Sequence, residues 1–176
     1  SCANDPDRVQ KAMIVCSSRK IAYNLLKKFD DKYPEWFVEK KTPDDASATE
    51  EELRKLKPMP FMAMVASVGS NDPAKMYNYL GGVKNDKRSD KLDVAFKQPE
   101  SNLRLVIVVD MWITGFDVES LTYLYNDKPL RKHLLIQTIS RVNRKYPGKD
   151  YGMVIAYIGI RDNMREAMKL YGGDSS

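Results

Sequence analysis

The sequence predicts an α/β protein with a mostly parallel sheet flanked by helices. Short apolar runs rich in β-branched residues fall at 11–16, 61–66, 103–109, 121–125 and 151–158. Each is too short to stand as a free helix, and runs without alternation are the habit of strands buried on both faces of a parallel sheet. Segments of helical periodicity stand between the runs, so strand and helix alternate along the chain. A length of 176 residues fits one domain and is enough to bury a core.

Residues 1–10 are polar and read as a lead-in to the domain. Lys11-Ala12-Met13-Ile14-Val15-Cys16 is the first strand. Ser17 and Ser18 supply N-cap chemistry, and Ile21, Ala22, Leu25, Leu26 and Phe29 keep helical spacing to about Lys32. The stretch 33–60 is punctuated by Pro34, Pro43, Pro58 and Pro60 and reads as an irregular insertion with one charged, exposed helix at 48–56. Within it, Glu39-Lys40-Lys41 spells a fragment of a nuclease signature, but no convincing strand hairpin and no well-placed upstream Asp accompany it, so it is set aside. The second strand ends at Ser67. A short helix over 73–80 is closed by Gly81-Gly82, and an amphipathic helix over 88–97 turns Leu92, Ala95 and Phe96 inward.

The run 103–109 is the expected central strand. Thr114-Gly115-Phe116-Asp117 follows it and is expected at the carboxyl end, where such sheets gather ligands. After the strand at 121–125, Asp127-Lys128-Pro129 leads into a helix over 133–144. At 3.6 residues per turn, Leu135, Ile139 and Val142 share one stripe of it, and Gln137, Arg141 and Arg144 share another. That second stripe is either a solvated basic surface or a pair of guanidinium forks held ready for phosphate oxygens. The Ser17-Ser18 turn has the same two readings, a helix cap or a phosphate cradle. A last strand at 151–158, a helix over 161–170 and a polar tail at 172–176 complete the chain.

A formal charge of +5 and a pI near 9.1 favour an anionic partner only mildly. Two cysteines, Cys2 and Cys16, make no disulfide framework and suggest a reducing, cytoplasmic setting. No apolar run approaches the ~18 residues of a membrane span. His133, the single histidine, cannot build a metal site alone, and Trp112 reads as a packing residue before a base-stacking platform.

Thr114-Gly115-Phe116-Asp117 followed by Gln137-x-x-x-Arg141-x-x-Arg144 resembles motifs V and VI of superfamily 2 helicases and translocases. The strings 109–117 (Val-Asp-Met-Trp-Ile-Thr-Gly-Phe-Asp), 127–130 (Asp-Lys-Pro-Leu) and 137–144 (Gln-Thr-Ile-Ser-Arg-Val-Asn-Arg) resemble more narrowly the motor subunit of type I restriction enzymes, and 11–18 is similar to its motif IV. The resemblance covers about 11–159. Where the common helicase pattern has Gly before the first motif VI arginine, Ser140 stands here.

The resemblance implies a RecA-like three-layer sandwich over 11–171, the second of two such motor domains, cut from a longer subunit. The chain has no G-x-x-x-x-G-K-[S/T] loop; Gly148-Lys149 is followed by Asp150. ATP and magnesium would be held mainly by the first RecA-like domain of the same polypeptide, and none is expected on this chain alone. By the same resemblance Arg141 or Arg144 is an arginine finger and Gln137 orients that network. Gly115 allows close backbone approach, and Asp117 meets the nucleotide ribose or a motif VI arginine. Ser17, Ser18, Arg19, Ser67 and Thr114 line a track for double-stranded DNA. The implied partners are that DNA, the first motor domain, and the methylation and specificity subunits of a restriction complex. The alternatives are another superfamily 2 helicase domain, or a self-contained basic nucleic-acid-binding module with no ATP linkage.

Overall fold

The computed structural model describes residues 10–44, 46, 48–112, 117–129, 132–156 and 169. The expected helix at 161–170 lies outside them apart from Lys169, as do the lead-in at 1–9 and the tail at 172–176. Five parallel strands form one sheet: β1 (Lys11–Val15), β2 (Met62–Val65), β3 (Leu105–Val108), β4 (Leu121–Asn126) and β5 (Met153–Ala156). Their order is β2-β3-β1-β4-β5, with every neighbouring pair parallel. The centre of the sheet is therefore β1, not the run at 103–109. Every pairing here is non-local, and apolarity marks a strand as interior without saying which neighbours it takes.

Helices cover the sheet from both sides. Met13, Val15, Ala63, Val65, Val106, Val108 and Leu124 form one buried face. It packs on Leu92, Ala95 and Phe96 of α4 (Asn85–Lys97) and on Val142, the last residue of α5 (Lys132–Val142). Cys16, Met62, Met64, Ala66, Ile107 and Val109 form the other, under Ala22 and Leu26 of α1 (Arg19–Lys32) and Met76 of α3 (Ala74–Tyr79). Period-two alternation within each strand feeds both layers. α3 ends on Gly81 at φ 95°, a left-handed position that glycine adopts without strain. Beyond α1, Ala12, Ile14, Tyr123 and Tyr125 line an apolar cavity of about 820 Å³ on that face. Among the described residues, none of the expected site residues lines it.

The irregular stretch is pinned by aromatic rings. Trp36 stacks on Tyr33 at 4.6 Å and on Phe29 at 5.7 Å, and meets Phe61 at 5.0 Å. Its one α-helix among the described residues, α2 (Glu50–Lys55), opens on a capping box between Thr49 and Glu52.

Lys11 and Cys16 are buried groups whose ionisation the fold shifts. Lys11 is fully buried, and its ammonium donates to the Phe96 and Gln98 carbonyls at 2.7 and 2.6 Å and to Ala95 at 3.4 Å. It thereby caps the last turn of α4. Burial, with the nearby Arg104 charge, pushes its pKa well down. Cys16 is buried and unbridged; burial and the Asp127 carboxylate push its thiol up to about 11.

The end of α5 runs hard against the entry to β5. A Cβ on Gly152 would lie 2.1 Å from the Val142 carbonyl oxygen, a backbone atom that cannot swing aside. Gly152→Ala should therefore cost about 1–3 kcal/mol of stability and lower the thermal midpoint by roughly 3–10 °C. Thermal unfolding followed by circular dichroism checks this, and an unchanged midpoint would refute the close approach. Among the described residues no helix is long and apolar enough to cross a membrane.

Candidate functional site

The expected site residues divide between the two ends of the sheet. At the carboxyl end, β1 leads through Cys16 and Ser17 to Ser18, whose extended backbone (φ −150°) turns the chain into α1. The Ser18 hydroxyl oxygen accepts from the Ile21 N–H at 3.2 Å, so it caps the helix. Ser17 is exposed beside it, and Ser67 is exposed just beyond β2. Arg19 opens α1 and reaches across to Asp72, donating from Nε at 3.1 Å and Nη2 at 3.0 Å to the same carboxylate oxygen. The other oxygen accepts from the Gly69 N–H at 2.6 Å.

Beyond β3, the same end is closed by two left-handed residues, Asp110 (φ 55°) and Trp112 (φ 62°). The Asp110 carboxylate pairs with the Lys128 ammonium, and the Asn126 side chain closes the turn by donating to the Lys128 carbonyl at 2.7 Å. Trp112 packs on the core and stacks on Phe96 at 6.0 Å, as its packing reading expects.

Asp117 does not sit at the carboxyl end. Three residues later the Ser120 carbonyl accepts from the N–H of Lys11, the first residue of β1. Asp117 itself lines a polar cleft of about 250 Å³ with Lys97 and Pro99 from the end of α4, Glu119, Ser120 and Tyr146. This is the amino end. The physical reason is topological: β3 and β4 are parallel, so the chain leaving β3 must return to the other end before β4 begins. Asp117 lies late in that return. Thr114 and Gly115, whose roles were expected from the same motif, lie outside the described residues.

α5 connects parallel β4 to β5 and so runs from the carboxyl end back to the amino end. Leu135 and Ile139 are buried and Val142 is 1% exposed, as the stripe predicts. Gln137 is exposed and Arg141 half-buried. Ser140, in place of the usual glycine, turns its hydroxyl back on the helix and donates to the Gln137 carbonyl at 2.8 Å.

Arg144 departs from the expectation of a shared helix face. The helix ends at Val142, with the Asn143 N–H closing on the Ile139 carbonyl at 3.0 Å, so Arg144 projects from the segment beyond. That placement lets its Nη1 reach the Asp117 carboxylate at 2.7 Å and the Glu119 carboxylate at 4.0 Å. Lys149 steadies the same corner by donating to the Glu119 carbonyl at 3.1 Å; burial lowers its pKa. Burial, with Glu100 and Glu119 nearby, raises that of Tyr146.

Asp72, Gly69, Glu119, Tyr146 and Lys149 are parts of these corners that sequence reasoning did not single out. They lie in polar turns without periodicity, and their partners are distant in the chain.

The family model for domain 3 of type I restriction enzyme subunit R matches residues 9–159. The MjaIXP endonuclease subunit of Methanocaldococcus jannaschii, itself provisionally named as a type I restriction enzyme, is 36% identical over 166 residues, 94% of this chain and 13% of its own length. The type I restriction enzyme HindI endonuclease subunit of Haemophilus influenzae is 32% identical over 164 residues, 92% of this chain and 14% of its own length. The chain thus spans only about one-seventh of these relatives. Among solved structures, Mycobacterium smegmatis helicase Lhr, bound to ssDNA and AMP-PNP, aligns over 93% of this chain and 17% of its own, at 13% identity and a TM-score of 0.49. With its matched segment covering nearly all of the sheet and both corners, the chain belongs to the family of type I restriction enzyme subunit R domain 3.

Proposed function

We propose that this chain is the second RecA-like domain of an ATP-driven DNA translocase within a type I restriction subunit. The observation that carries the reading is the pairing of Asp117 with Arg144, which joins the motif V and motif VI strings at the amino end of the sheet. The serines and Arg19 stand at the opposite end. One domain would thus meet two partners on two ends, a nucleotide held by the first motor domain and a DNA backbone.

At the amino end, Arg141 and Arg144 offer planar forks to triphosphate oxygens. The Asp117–Arg144 pair is about half exposed on both sides, so it contributes under about 1 kcal/mol and yields readily to a stronger anion. When bound, ATP supplies the phosphoryl group whose transfer drives the motor; these side chains stabilise the charge that grows on it. Gln137 orients the arginines from the exposed face of α5. Among the described residues no three His, Cys, Asp or Glu side chains gather to hold a metal ion. On this reading magnesium belongs to the first motor domain.

At the carboxyl end, Ser17, Ser18, Arg19 and Ser67 would bind phosphates and not base edges, as a motor indifferent to sequence requires; Thr114, outside the described residues, would join them by the resemblance. Domain closure and opening would then move the duplex. ATP turnover by a complete subunit tests the reading, because it should require both arginines. Turnover that needs neither would remove it.

A further inference from the structure

We propose that Asp72 and Gly69 are positioning residues that hold the Arg19 guanidinium in place for a DNA phosphate. The inference rests on the reading of Ser17, Ser18, Arg19 and Ser67 as backbone contacts, and it names what sets the geometry of the only charged member.

The Asp72 side chain is 4% exposed although it lies in a polar surface turn. A buried carboxylate is costly unless its oxygens are satisfied. Both are: one by Arg19, the other by the Gly69 N–H. The turn is therefore built around the arginine. Gly69 completes the socket from the other side, since a Cβ there would lie 2.1 Å from Arg19 Nη2 and 2.9 Å from its Cζ. Only a residue without a side chain lets the guanidinium lie where it does.

Two features argue that this socket does more than fasten α1 to the turn. Arg19 occupies the first residue of α1, where the helix dipole disfavours a cation, and no acidic residue stands in that first turn to offset it. The bonds to Asp72 use Nε and Nη2, leaving Nη1 out of the pair, and the side chain is still 37% exposed. A guanidinium clamped along one edge offers the rest of its fork at a fixed angle, with less freedom to lose on meeting a phosphate.

The test is fluorescence anisotropy of a complete subunit carrying this domain on a labelled duplex across a salt series, for wild type, Arg19→Ala, Asp72→Asn and Gly69→Ala. Simple electrostatics predicts that Asp72→Asn tightens binding, because it removes a negative charge near the DNA. The socket predicts the reverse. Arg19→Ala should weaken binding several-fold and flatten the salt dependence by about 0.9 in slope, the signature of one lost phosphate contact. Asp72→Asn and Gly69→Ala should each reproduce most of both changes. Gly69→Ala alters no charge, and its thermal midpoint should fall no further than that of Arg19→Ala, which leaves the same Asp72 oxygen without its partner.

Weakening by Arg19→Ala without weakening by the other two overturns the socket and leaves the DNA-track reading standing. Tighter binding by Asp72→Asn also overturns it. No effect of Arg19→Ala, or no duplex binding by wild type at low salt, overturns the track reading and the socket with it.

Discussion

In a complete subunit, Arg141→Ala and Arg144→Ala each reduce DNA-dependent ATP turnover by about 10³-fold or more, while duplex affinity stays within roughly threefold of wild type. The expectation follows from where the two side chains stand. Arg141 lies on α5 and Arg144 just past its end, both toward the amino end of the sheet and away from the Ser17–Arg19 corner. An interaction made chiefly in the transition state lowers kcat and kcat/KM together when removed, and KM for ATP should move little. Arg144 carries an exposed ion pair to Asp117, so Asp117→Ala should disturb turnover far less than loss of the arginine itself. The opposite pattern is equally readable. Normal turnover with weakened DNA binding and a shallower salt slope would make these arginines phosphate contacts only. The chain would then be a basic nucleic-acid-binding module.

Lys11→Ala lowers unfolding stability by about 2–5 kcal/mol, the other large effect, through lost packing and carbonyls left without their donor. The ammonium serves the last carbonyls of α4 and lies 5.0 Å from the centre of the Phe96 ring. Its pH dependence has a definite sign. The folded pKa is pushed below the ordinary lysine value of 10.5. Between the lowered value and 10.5 the unfolded chain binds a proton that the folded chain does not, so stability from this group rises with pH across that window. It levels off once the unfolded amine has also lost its proton. The stability difference between wild type and Lys11→Met should therefore grow as pH is raised from 7 toward 10. Urea unfolding at several pH values measures it, and a difference that shrinks over that range would contradict a lowered pKa.

The element order could be read in the sequence because the strands are short, mostly apolar runs and the longer helices α1, α4 and α5 show a 3.6-residue stripe. Leu135, Ile139 and Val142 are buried as their spacing implies. Strand order could not be read, since pairing β1 between β3 and β4 joins segments roughly a hundred residues apart, and apolarity alone carries no register. The same gap misplaced Asp117. Spacing places it after a strand, but only the parallel pairing of β3 with β1 and β1 with β4 sends it to the amino end. Arg144 escaped the helix because periodicity does not mark where a helix stops within a turn, and Asn143 is the residue at which it does. The Arg19–Asp72 contact, 53 residues apart, left no sequence signal: Asp72 sits in an unremarkable Ser-Asn-Asp turn. The Lys11 cap was hidden for a different reason, as a lysine that opens a strand does not say which carbonyls its ammonium meets until α4 is laid against it.

The reading that this is a second motor domain, lending arginines to a nucleotide held elsewhere, is tested most directly by sequencing upstream of these codons in the same reading frame. The account predicts a preceding domain with a G-x-x-x-x-G-K-[S/T] loop opening a helix after a strand, the fold's own phosphate cradle. A start codon directly before this domain, with no such loop in the frame, would contradict it.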